Sequence, residues 1–216
     1  MRRLVFVVAT LMLMASVGSA ELTWVTLDDS GENYTAASEP IVVDFDDVPA
    51  GTILTGSDYG GLTWEQGNAG YQGKQGYWMI PEEPRPNNYP YSPPHNVING
   101  WGCTRIGIGF GAEVDVLGAY FAGQGAGDSY TIGVRVHGYN GAAQISETPW
   151  FYDIDEHPDW FAMNLTGVDR IVIESIPVNE GGGWYGMDNL TYIPEPTTLS
   201  LLGFGGLPLM RKRCKK

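Results

Sequence analysis

The sequence predicts an all-β protein built around one β-sandwich or jelly-roll domain. Three observations carry this. Glycine takes 30 of 216 positions, about twice the usual share. Short runs rich in β-branched and aromatic residues alternate with period two. Turn residues separate these runs at roughly ten-residue spacing, and no stretch between positions 21 and 193 sustains a 3.6-residue period.

The first twenty residues stand apart. Met1-Arg2-Arg3 is a basic start, LVFVVATLMLMA an apolar run, and Gly18-Ser19-Ala20 supplies small residues for a cut after Ala20. That order is a secretory signal peptide, so residues 1–20 are expected to be removed on export. Residues 21–193 are then the folded body. Within it Ile41 to Asp46 alternates, and Leu62-Thr63-Trp64 follows a Tyr-Gly-Gly turn, with Trp64 and Trp24 expected in the core. Residues 81–100 hold six prolines, which remove ladder donors, so this stretch is expected as a surface excursion without a strand. Ile106, Ile108 and Phe110 share one face, and Val116 to Phe121 is a continuous buried run. Tyr130, Ile132, Val134 and Val136 are expected on one side of the next strand. Tyr139-Asn140-Gly141 signals a type I′ hairpin turn. Trp160 to Leu165, Val168 to Ile173 and Gly186 to Ile193 complete the set.

The body carries five basic residues against 24 acidic ones, a net charge of −19. Such a surface repels nucleic acid and anionic lipid, which excludes nucleic-acid binding. Two cysteines, Cys103 and Cys214, make no disulfide framework, and Cys103 is expected as a buried lone thiol.

Two kinds of site are legible. Trp78, Trp101, Trp150 and Trp184 lie in turn-like settings, where indole rings can stack on the apolar faces of sugars, although large rings also fill cores. Asp44 and Asp46 near the first strand of the body, and Asp188 on its last, would converge if those strands are neighbours, giving a possible structural Ca²⁺ site. The plain alternative is solvated charge at strand edges. The cluster from Asp153 to Asp159 with His157 lacks a paired histidine spacing, and no nucleophile elbow or phosphate loop is present. The body is therefore expected to be non-enzymatic.

The C-terminal stretch has a different character. Pro194-Glu195-Pro196 precedes an apolar run, and Arg211-Lys212-Arg213 follows it. Thr197 to Met210 is 14 residues, about 21 Å as a helix, short of the roughly 30 Å of a bilayer core. It suits transient membrane contact with its basic end inside. The order of motif, apolar run and basic cluster resembles the PEP-CTERM sorting signal of exported bacterial proteins, a tail also classed as an "ice-binding protein C-terminal" domain; the body has no Thr-x-Thr array of the kind that templates ice. The resemblance covers residues 194–216. It implies recognition by an exosortase, with Pro194, Glu195 and Pro196 as the motif and Arg211, Lys212 and Arg213 as the stop to translocation. It also implies a Gram-negative-type host, passage through the inner membrane, and an end at the cell surface or in an exopolysaccharide matrix. On this reading the protein is an exported envelope or matrix protein. The alternatives are a carbohydrate-binding module contacting exopolysaccharide and, behind it, a secreted glycan hydrolase.

Overall fold

The computed structural model describes residues 23–27, 32–36, 39–82, 89–124, 131–152, 154–178 and 182–195, the first two segments as backbone only. The cleavage position Ala20, the Trp24 side chain, Tyr130, Pro196, the basic cluster Arg211-Lys212-Arg213 and Cys214 lie outside them. The chain divides between Glu39 and Pro40 into two compact units. In the first, β1 (Thr23–Leu27) and β2 (Glu32–Ala36) form an antiparallel hairpin that pairs Thr23 with Ala36.

The second unit holds one antiparallel sheet of nine strands. These are β3 (Ile41–Val43), β4 (Thr63–Trp64), β5 (Tyr77–Met79), β6 (Val97–Gly100), β7 (Arg105–Gly123), β8 (Gly133–Asn140), β9 (Ala143–Glu147), β10 (Asp159–Ile176) and β11 (Tyr185–Pro194). The strand order is β5-β6-β11-β7-β10-β8-β9, with β3 also on β11 and β4 also on β7. Among the described residues there is no α-helix, only 3-10 turns at Tyr59–Gly61 and Tyr71–Gly73, and no helix long and apolar enough to cross a membrane.

Period-two patterning sets the faces. Ile106, Ile108 and Phe110 are buried as the alternation requires, with Ile171 and Ile173 of β10 and Val134 and Val136 of β8 beside them. The alternation does not extend back to Ile132, which is 47% exposed, because β8 starts only at Gly133. Thr131 is buried in its place and donates its hydroxyl to the Ile176 carbonyl at 2.7 Å.

Two sequence breaks turn out to be bulges. The runs at 104–110 and 116–121 are a single 19-residue strand, β7, and those at 160–165 and 168–173 a single 18-residue strand, β10. Gly111 (φ 73°), Asn164 (φ 49°) and Gly167 (φ 64°) are left-handed, and the β7–β10 register slips between Ala162 and Arg170. A lone left-handed residue inserts one unpaired position and bends the strand without reversing it. The hairpin after β8 is also displaced. Asn140 pairs with Ala143, so the loop is Gly141-Ala142 with a positive φ only at Gly141, which is the type II′ pattern and not type I′. The Asn140 side chain instead donates to Glu113 Oε1 and to the Gly167 carbonyl.

The expected excursion at 81–100 is corrected in its second half. The last proline of that stretch is Pro94, and Val97–Gly100 forms β6, buried throughout and paired with β5 and β11. The prolines had masked four residues able to donate to a ladder.

Rings in contact, most of them edge to face, run through the core. Phe45, Trp64, Trp78, Tyr185, Phe121 and Phe161 follow one another with centroids 5.5–6.2 Å apart. Cys103 is buried and free as expected, and burial pushes its thiol up to about 12.

Candidate glycan-binding site

Trp78 is not a surface ring. It is fully buried, and its indole N–H donates to the Gly107 carbonyl at 2.9 Å. Its place on β5 decides this: Trp78 pairs with Asn99 on the core face, which turns its neighbours Tyr77 and Met79 the other way.

That opposite face carries Trp101 and Trp184. Both are half-buried, and with Tyr77, Met79, Ile98, Gly100, Glu82 and Gln124 they line a cleft of about 320 Å³. The size and the mixture of rings with few polar groups fit a small-molecule site. The cleft lies where β5, β6 and β7 end and β11 begins. Gly100 has no Cβ because the Tyr77 ring occupies that space, 2.6 Å from where the Cβ would stand. Gly102 likewise makes room for the Trp184 indole, 2.8 Å away.

The turn that presents Trp101 is held from beneath by Asn99. This fully buried amide donates to the carbonyls of Cys103 (2.9 Å) and Gly183 (2.7 Å) and accepts the Tyr185 N–H at 2.9 Å. It thereby ties the end of β6 to the start of β11. Trp101 itself has φ 60°, a conformation that costs a bulky residue of order 1–3 kcal/mol. The surrounding bonds hold it there: the Trp101 carbonyl accepts from Tyr71 at 2.7 Å, and the Lys74 ammonium sits 3.7 Å from the indole centroid. Asn99, Tyr77 and Gln124 were not singled out in the sequence. The signal available was Asn99-Gly100-Trp101-Gly102, a tight-turn composition around a ring that turns seldom carry.

Trp150 belongs elsewhere. It is half-buried beneath the Arg135 guanidinium, 4.6 Å from the ring centroid, with Tyr152 beside it. Arg135 also pairs with Glu174 at 2.8 Å, and the same carboxylate meets His137 Nε2 at 2.7 Å. Burial alone would raise the Glu174 carboxyl, but the bonds from His137 and Arg135 prevail and hold it below its ordinary value.

The first and last strands of the sheet unit are neighbours as the carboxylate argument required, with Val43 paired to Leu190. Asp44 is nevertheless exposed, whereas Asp188 is 2% exposed and engaged: it accepts from Ser92 N–H at 2.9 Å and from Asn189 N–H at 2.8 Å. Among the described residues, no three Asp, Glu, His or Cys side chains gather as a metal site would need. At the other end of β11, Pro194 still pairs with Val114 and the Glu195 N–H donates to the Glu113 carbonyl at 3.2 Å. Pro194 and Glu195 thus lie against the sheet.

No family model, curated protein or solved structure matches the chain. The cleft and its residues have to speak for themselves.

Proposed function

We propose that the chain is an exported, non-enzymatic protein whose folded body binds carbohydrate through the cleft between Trp101 and Trp184. One observation carries this reading: two indoles from separate strand ends meet at one cleft, one of them on backbone that only its neighbours make tolerable. Strain retained at a surface ring points to use and not to packing. The bends in β7 and β10 would fold the sheet onto itself as a sandwich and leave this cleft on an outer face. Titration of the protein with polysaccharides, followed by tryptophan fluorescence, tests the proposal. Binding that falls at least tenfold in Trp101→Ala supports it; no binding to any polysaccharide on a broad array overturns it.

The route to that site is the sorting signal. In this proposal an exosortase recognises Pro194-Glu195-Pro196, the apolar run engages the inner membrane briefly, and Arg211, Lys212 and Arg213 stay inside. The body then reaches the cell surface or the exopolysaccharide matrix. Because Pro194 and Glu195 still pair with β7, processing that spares the sheet would cut beyond them.

A further inference from the structure

The sheet face turned away from the core carries a second, smaller cleft of about 280 Å³, where the end of β4 meets the first half of β7 and the second half of β10. Gly107 makes room for it, since a Cβ there would run into the Glu65 carboxylate. Glu65 takes a two-point contact from Arg170, whose Nε and Nη2 donate to it at 2.6 and 2.7 Å. That pair neutralises itself and leaves Arg170 Nη1 without a partner among the described residues. Arg105 lines the same cleft and is exposed. Its backbone N–H donates to Asn68 Oδ1, but its guanidinium has no hydrogen-bond or ion-pair partner among the described residues. Glu174 senses the Arg105 charge, yet that carboxylate is already held by Arg135 and His137. The body has five basic residues against 24 acidic ones, so two guanidinia at one cleft do not follow from abundance.

We propose that this cleft binds the carboxylate of an acidic sugar, with the Arg105 fork on the carboxylate and the Gln66 amide on a ring hydroxyl. It shares no residue with the cleft between Trp101 and Trp184. A guanidinium offers planar, paired donors that match a carboxylate. With the Glu65–Arg170 pair neutral, Arg105 leaves the cleft one net positive charge, which suits a single negative charge; a dianion would meet Glu65 and the acidic body with its second one. An extended peptide has no ladder to join, because β7 has β4 on one side and β10 on the other at Ile108 and Gly109. Recognition therefore falls to side chains. Gln66 is exposed at the cleft and provides both a donor and an acceptor, the combination that a ring hydroxyl pairs with.

Titrations followed by the amide and indole N–H resonances of the protein, at one fixed ionic strength, test this. The probes are methyl glucuronoside, methyl glucoside, acetate and inorganic phosphate. The glucuronoside is expected to bind at least tenfold more tightly than each of the others and to shift the amides of Arg105, Gly107 and Arg170. Arg105→Gln removes the charge from an exposed side chain with no partner, so its melting temperature should hold. Its affinity for the glucuronoside should fall at least tenfold, and an unchanged affinity overturns the role of Arg105. Glucoside binding as tightly as glucuronoside overturns the carboxylate assignment. Acetate or phosphate binding as tightly overturns the sugar assignment, because the cleft would then read charge alone. Shifts confined to the Trp101 and Trp184 indoles put the ligand in the other cleft, which overturns this inference and supports the carbohydrate reading above. If no probe binds, the inference falls, and the polysaccharide array decides the carbohydrate reading separately. The wild-type ranking decides the proposal even if the variant does not fold.

Discussion

Asp188 is a carboxylate placed where a charge is expensive. Burial pushes its carboxyl up from 3.8 to about 7, the bonds from Ser92 and Asn189 pull it back, and Asp46 nearby pushes it up further. A carboxyl raised in the fold holds its proton more tightly folded than unfolded. Its stabilising contribution is therefore full below about pH 4 and is lost as pH rises towards 7. The expected outcome is a melting temperature that falls by a few degrees per pH unit between pH 5 and 7, on the order of 1 kcal/mol per unit. In Asp188→Asn that slope should flatten, and a thermal scan at four pH values would show an unchanged slope if Asp188 were not the cause. The tryptophans divide at the same scale. Trp78→Ala removes a fully buried ring and should cost about 3–5 kcal/mol by denaturant titration. Trp101→Gly relieves a left-handed φ while losing the contact with Lys74, so its melting temperature should stay within about 3 °C of wild type. A loss as large as that of Trp78→Ala would make Trp101 a packing residue.

At the scale of elements, β7 and β10 define the sheet, and their close approach depends on Gly118. A Cβ there would run into the Phe161 carbonyl oxygen and stand 2.6 Å from the Trp160 ring. Gly118→Ala should cost about 1–3 kcal/mol as overpacking, read as a lower denaturation midpoint. A neutral result would mean that the two strands can separate freely at this point. The strands themselves were legible where alternation is strict, as at Ile106, Ile108 and Phe110. Their lengths were not, because a glycine or asparagine that reverses the chain and one that merely bends it look alike in sequence. Gly111 and Gly167 bend; Gly141 reverses. The difference lies in whether the flanking residues find a partner strand on the same side, which is a long-range fact. β6 was hidden for a related reason, since proline density up to Pro94 says nothing about the four residues from Val97 onward.

For the whole molecule, charge is a sequence property, and so is the resemblance of the C-terminal stretch to a sorting signal. On the proposed sorting of the chain, Glu195→Ala is expected to leave unprocessed chain in the membrane fraction of the native host. Normal processing, read as the mass of the mature protein, would remove the sorting reading. The sequence by itself determined the all-β class, the acidic surface, the lone buried Cys103 and the separate character of the two ends, because each follows from composition or from a period of two residues. Only the tertiary structure decided which tryptophans are buried in the core and which line a cleft. Trp78 and Tyr77 are adjacent in the chain and face opposite sides of one strand. Trp101 and Trp184 are far apart in the chain and share one cleft, because β6 and β11 pair and Asn99 fastens their ends together. Strand pairing is chosen by burial summed over the whole core, and no local stretch of sequence contains that sum.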